Sequence, residues 1–108
     1  MRQVFCTCPE KDADTIATAL LEERLVACVQ SFPVRSRYWW RGKMETAAEV
    51  MLVMKTRAAL MASLIAKIRQ LHPYEVPEVV SFAIAEGNPA YLEWLAAETD
   101  IAACKVKP

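Results

Sequence analysis

The sequence predicts an α+β domain in which two helices pack on one face of an antiparallel sheet. Strand patterns and helix patterns follow one another in the order β-α-β-β-α-β, and a short helix ends the series. A chain of 108 residues has the length of one domain, so residues 1–108 are taken as a single unit. Apolar residues make up 55% of the chain and glycine occurs only twice, so more apolar surface is present than one small core readily hides.

The first half of the chain is predicted to form a strand, a helix and one arm of a long hairpin. An apolar run at residues 4–6 indicates the first strand, and Asp12 is placed to cap the helix that follows. A second strand covers residues 27–41. Pro33 lacks the N–H that a sheet ladder needs, which predicts an edge position for this strand. Gly42 supplies the positive φ of the hairpin turn.

The second half of the chain completes the sheet. Residues 50–55 are apolar on both faces, as expected of a central strand. A helix over residues 57–71 ends before Pro73, and a last strand covers residues 78–85. Asn88, followed by proline, is a strong start for the terminal helix. This order predicts the ferredoxin-like, split βαβ arrangement, with the first and third strands in the middle of the sheet.

The sheet face that these two helices leave uncovered requires a partner. The third strand is apolar on that face as well, and the simplest partner is a second copy of the same chain. The exposed edge of the long hairpin is a further feature that proteins rarely leave bare. These patterns predict a homo-oligomer and do not set the number of subunits.

Charge and cysteine content exclude several classes of protein. Lys and Arg total 13 and Asp and Glu total 13, so the basic excess of a nucleic-acid-binding protein is missing. No apolar run reaches the ~18 residues of a membrane span, and the N-terminus lacks the pattern of a signal peptide, which predicts a cytoplasmic protein without a membrane partner. The four cysteines show neither CxxC nor zinc spacing and are predicted to be free thiols. They are Cys6, Cys8, Cys28 and Cys104.

Six segments occur in the order of a known protein family. They are CTCP (residues 6–9), LVACV (25–29), SRYWWRGK (36–43), KT (55–56), HPYEVPE (72–78) and GNPAYLEW (87–94). The HPYEVPE segment and the SRYWWRGK hairpin are the most specific of them. Together the six resemble the CutA family of divalent-cation tolerance proteins as far as about residue 100, and the tail at residues 101–108 lies outside the resemblance.

The resemblance implies a tight homotrimer, built like the PII signal-transduction proteins, with a role in tolerance of divalent metal ions, copper among them. No nucleophile motif or acid–base pair is legible, so a binding protein without catalytic residues or an organic cofactor is expected. The alternative is a PII-like regulatory or scaffold trimer that binds a protein or a small ligand. An enzyme that uses Cys6, His72 and Glu75 is the third and weakest alternative.

The predicted metal ligands are Cys6 and His72, the positions that match the family's suggested copper site. A second histidine found in some members is Leu71 here, which removes one ligand suited to Cu(II). Cys8 shares a strand face with Cys6 and would suit Cu(I), although two cysteines on a central strand are more often core residues. His72 has a plainer alternative role in hydrogen bonds at the end of a helix.

Acidic and aromatic residues supply the remaining candidates. Glu75 and Glu78 form a carboxylate pair for a hard cation, or else a solvated or subunit-bridging pair, which we favour. No glycine-rich phosphate loop is present, so nucleotide binding in the PII manner is not expected. The residues assigned to a cleft or interface between subunits, where aromatic side chains act as anchors, are Tyr38, Trp39, Trp40, Lys55, Tyr74 and Glu78.

Overall fold

The computed structural model describes residues 1–100, so Cys104 lies outside the described residues. A short 3₁₀ turn at Ala58–Leu60 precedes the second helix. The regular elements are β1 (Arg2–Cys8), α1 (Glu10–Glu22), β2 (Cys28–Trp40), β3 (Lys43–Thr56), α2 (Met61–Leu71), β4 (Val80–Ala83) and α3 (Pro89–Glu98). None of these helices is long and apolar enough to cross a bilayer.

The four strands form one antiparallel sheet in the order β2-β3-β1-β4. The predicted ferredoxin-like arrangement is confirmed, with β1 and β3 in the middle. β2 is an edge strand, as Pro33 predicted, and Pro33 lies opposite Val50 in the β2–β3 ladder. The register between β2 and β3 runs without a bulge from Cys28, opposite Lys55, to the hairpin turn.

The hairpin turn depends on two residues with left-handed backbone geometry. Gly42 has a φ of 81° and Arg41 a φ of 50°. Two successive residues with positive φ are typical of the I′-type turn, whose twist matches that of the strands it joins. The sequence predicted this conformation for Gly42 alone.

The residue predicted to cap α3 is confirmed, whereas the residue predicted to cap α1 is not. The Asn88 side chain accepts a hydrogen bond from the Ala90 N–H at 3.2 Å and caps α3 as predicted. At α1 the cap position belongs to Pro9, and the predicted cap by Asp12 is wrong. The chain enters α1 directly from β1, so Asp12 already lies in the first helical turn, where a carboxylate favours the positive end of the helix dipole.

The core lies between one face of the sheet and the helices α1 and α2. Because paired residues of neighbouring strands share a face, the register places Cys6 beside Leu52 and Cys8 beside Val50 on this helix-covered face. The fully buried residues include Val4, Cys6, Cys8, Ile16, Leu20, Met54, Leu64 and Ile68. The two thiols are therefore part of the packed interior.

The opposite face of the sheet, called here the helix-free face because neither α1 nor α2 packs on it, carries a patch of apolar side chains. By the register these are Phe5, Phe32, Met51, Val53, Val80 and Phe82. Phe82 is 53% exposed and Phe32 is 49% exposed, while the Phe5 and Phe82 rings meet edge to face with centroids 5.4 Å apart. At one end of this face α3 approaches the sheet, where the Tyr91 hydroxyl lies 3.6 Å from the Cys28 thiol.

Candidate binding cleft

A cleft of about 840 Å³ opens where the outer part of the hairpin faces the segment of residues 73–78. The structure brings together in it most of the residues that the sequence assigned to a cleft or interface. These are Tyr38, Trp39, Trp40, Tyr74 and Glu78, and with them Glu75. Thr7 of β1 and Glu49 of β3 complete the part of the lining that the central strands supply.

His72 holds the segment after α2 against β1. Its Nδ1 accepts a hydrogen bond from the Tyr74 N–H at 3.1 Å, so the proton of the neutral ring lies on Nε2, which donates to the Thr7 carbonyl at 2.7 Å. The residue is only 7% exposed. Both ring nitrogens are thus engaged by the protein, in the hydrogen-bonding role that the sequence offered as the alternative to metal binding.

Tyr74 carries this connection on to β3. Its hydroxyl donates to Glu49 Oε2 at 2.8 Å, and Glu49 is only 6% exposed. Burial, followed by this hydrogen bond, raises the pKa of Tyr74 well above its ordinary value. The phenol therefore stays protonated and keeps donating to the carboxylate throughout the neutral pH range.

The rim of the cleft is polar and carries charge. Arg41 donates to Glu75 Oε2 at 2.8 Å, and its guanidinium lies 5.2 Å from the centroid of the Trp40 ring. Both partners of this ion pair are well exposed, so the pair contributes little to stability. On the inner side Thr7 Oγ1 donates to Glu78 Oε1 at 3.3 Å, which fixes the position of Glu78.

Lys55 is not among the residues that line this cleft, and its assignment to a cleft or interface between subunits stays a prediction. It lies on the same helix-free face as Glu49, at the other end of β3, and donates to Gln30 Oε1 at 3.0 Å. Lys55 is six residues from the cleft residue Glu49 on the same strand. This spacing corresponds to roughly 20 Å along β3, so Lys55 is too far away to line the cleft.

The candidate metal ligands are close in the fold but are not arranged as a ligand set. Burial raises the pKa of Cys6 to about 12 and, with Asp12 nearby, that of Cys8 to about 11, so both thiols are protonated at neutral pH. His72 reaches the main chain of Thr7, the residue between the two cysteines. Residues 1–100 contain no group of three or more His, Cys, Asp or Glu side chains placed to hold a metal ion, and the metal site stays a prediction.

Among the cleft residues that the sequence reasoning missed, Thr7 and Glu49 are the two whose side chains form hydrogen bonds inside the cleft. Thr7 has no signal that separates it from any strand threonine. Glu49 does have one, because it is a lone acid directly before the apolar run at residues 50–54. A charged residue inside a central strand is rarely buried unless it has a partner, so this position could have been chosen as part of a site on that ground.

The fold and the cleft place the chain among ferredoxin-like α+β proteins of PII-like architecture. The structure of the PII-like protein CutA from Nostoc sp. PCC 7120 superposes with a TM-score of 0.89, at 35% identity and with 94% of this chain and 99% of that chain covered. The CutA1 divalent ion tolerance protein family matches residues 2–98. The chain belongs to this family, which confirms the resemblance found in the sequence.

The relatives differ in how much of their own length this chain covers. The divalent-cation tolerance protein CutA from Thermus thermophilus is 45% identical over 98 residues, which are 89% of this chain and 95% of that protein. Protein CutA from Mus musculus is 46% identical over 93 residues, which are 84% of this chain but 52% of the mouse protein. The chain therefore spans about half the length of the mouse relative.

Proposed function

We propose that this chain acts as a homotrimer in the tolerance of divalent metal ions, and that it acts by binding and not by catalysis. Membership of the divalent ion tolerance family supports the role. The observation that carries the assembly is the helix-free face, where Phe32 and Phe82 are each about half exposed in the single chain. An exposed apolar patch of this kind is typical of an interface.

A closed ring of copies would cover the patch and the sheet edges together. Within residues 1–100, β2 and β4 are the two edges of the sheet, and each has a row of backbone groups without a ladder partner. In a cyclic assembly the β2 side of one copy meets the β4 side of the next, so no edge is left over. The number three rests on the likeness to the PII-like architecture.

Copper or another divalent cation is the proposed cargo, with Cys6 and His72 as ligands and Cys8 and Glu75 as supplementary ones. Binding there has to remove protons from buried thiols and to release the His72 ring from Thr7. Since a thiolate is the ligand, the affinity for the metal rises with pH. The cysteines remain reduced in the cytoplasm, where we place the protein, and Cys6, Cys8 and Cys28 are free thiols in the structure.

A PII-like regulatory trimer is the second candidate function, and the cleft favours it. An opening of about 840 Å³ with aromatic walls and a nearly buried carboxylate has the size and make-up of a small-molecule site. In this alternative the metal response passes through a ligand or a protein partner, without a metal bound to Cys6.

Two measurements test the proposal. Light scattering of the purified chain should give three times the chain mass of 12.1 kDa, and a value of one chain mass contradicts the trimer. Copper titration under reducing conditions should give stoichiometric binding that Cys6→Ser, Cys8→Ser and His72→Ala each weaken. Cys28→Ser is the matched control, because Cys28 lies on the other face of the sheet. Equal, weak binding by all four variants would leave the regulatory trimer as the function.

A further inference from the structure

The cleft contains a carboxylate that the described part of the chain leaves short of partners. Glu49 is 6% exposed, and among residues 1–100 the one hydrogen bond to its carboxylate comes from the Tyr74 hydroxyl at Oε2. Within residues 1–100 no Lys, Arg or His nitrogen lies within 4.0 Å of it. A carboxylate has about four lone-pair sites, so one hydroxyl leaves most of its accepting capacity unused.

A carboxylate with so little exposure is stabilised by a nearby opposite charge or by further hydrogen bonds. Removal of a charge from water is costly unless an opposite charge or several hydrogen bonds replace the water. Arg35 and Arg37 also line the cleft, but residues alternate along β2, so their side chains leave the strand on the opposite face from Tyr38. The compensating group for Glu49 is therefore expected to come from outside this chain's described residues.

The aromatic walls of the cleft also favour a positively charged ligand. Tyr38, Trp40 and Tyr74 line it, and the face of an aromatic ring attracts a cation within about 6 Å of its centroid. The rim already contains one contact of this kind, between the Arg41 guanidinium and the Trp40 ring. A carboxylate floor with aromatic walls is the chemistry that recognises an ammonium or guanidinium group.

An organic cation fits this cleft better than a metal ion does. Hard divalent cations take six or more oxygen ligands, and residues 1–100 offer no group of three or more ligating side chains. The cleft volume of about 840 Å³ falls instead in the range of small-molecule sites.

We propose that the cleft binds a small organic cation, with its ammonium or guanidinium group on the Glu49 carboxylate and against the rings of Tyr38 and Tyr74. This inference rests on the proposed function of the chain as a binding protein and adds the chemical class of the ligand. Glu49 supplies the charge, Tyr74 orients it, and the aromatic walls exclude water from the contact.

The test uses n-butylguanidinium as the probe and n-butylurea as its neutral counterpart, titrated calorimetrically into the full chain at neutral pH. The chain should bind the guanidinium compound and not the urea. Glu49→Gln should weaken binding at least about tenfold, the effect of losing one charged partner. Glu45→Gln is the matched control, because Glu45 lies on the same strand and face but not in the cleft lining. It should change the affinity by less than about twofold.

Tyr38→Leu provides a second variant in case Glu49→Gln folds poorly. Tyr38 is an exposed wall residue, and its loss should weaken binding by about two- to fivefold. The proposal is overturned if the unmodified chain fails to bind n-butylguanidinium at about 10 mM, or if Glu49→Gln and Glu45→Gln bind it equally. Glu49→Gln could instead lose the trimer mass while the unmodified chain does not bind the probe. That result would mean that a cationic side chain of a neighbouring copy occupies the cleft, and it would also overturn the proposal. A normal trimer mass and copper titration alongside absent probe binding would reject this inference alone.

Discussion

Phe82→Ala tests whether the helix-free face is covered. Phe82 is 53% exposed in the single chain, and full coverage of a phenylalanine buries roughly 200 Å². About 100 Å² is thus left for a partner to cover, which at about 25 cal/mol per Å² stabilises the assembly by roughly 2.5 kcal/mol per protomer. The edge contact between the Phe82 and Phe5 rings adds about 1 kcal/mol within the chain itself.

The assay is light scattering over a dilution series in guanidinium chloride, which gives the protein concentration at which the trimer half dissociates. Phe82→Ala should raise that concentration more than about tenfold. Leu21→Ala is the control, because Leu21 is a 39% exposed apolar residue on α1, which packs on the other face. The reasoning fails if the two variants dissociate at the same concentration, because the exposed half of the Phe82 ring would then face water in the native assembly.

Three further predictions concern single residues. His72→Ala removes the hydrogen bonds that join Thr7 to Tyr74 and should lower the free energy of unfolding by about 2 kcal/mol in urea at fixed protein concentration; an unchanged midpoint would contradict the anchoring role. Because folding raises the pKa of Cys6 from 9.0 to about 12, the unfolded chain loses the thiol proton first, so stability falls as the pH rises from about 9 to about 12. Cys6→Ala should make that alkaline decline shallower in thermal melts, and an identical slope would refute the buried-thiol origin. Gly42→Ala places a methyl group in open space at a φ of 81°, so it should cost about 1 kcal/mol from backbone strain alone, and a variant as stable as the parent in the urea midpoint would contradict it.

The fold was largely predictable because its signals are local. The β-α-β-β-α-β order of the elements, an apolar third strand and Pro33 in the second were enough to order the strands, and the observed order β2-β3-β1-β4 agrees. The cap at α1 was wrong because the preference of Asp for cap positions pointed to Asp12, whereas the helix begins after Pro9, which has no capping side chain. Only the direct passage from β1 into the helix decides between them.

The cleft was predictable in part. Aromatic residues in the hairpin and the HPYEVPE segment indicated a site, and the structure brings them together. Glu49 was missed because its importance depends on Tyr74, 25 residues away, and on the burial that their contact creates. Lys55, which the sequence assigned to a cleft or interface between subunits, does not line the cleft and contacts Gln30 instead; its place at an interface stays a prediction.

Taken alone, the amino-acid order determined which segments form strands and helices, which strands lie in the middle, and that Cys6 and Cys8 share a face. Side-chain periodicity carries that information, because neighbours two residues apart always emerge on the same side of a strand. The tertiary structure decided whether the face shared by Cys6 and Cys8 is the one that the helices cover. The helices α1 and α2 pack over the two thiols, and this packing makes them core residues with raised pKa values. It leaves Phe32 and Phe82 about half exposed on the opposite face, because α1 and α2 lie on one side of the sheet only.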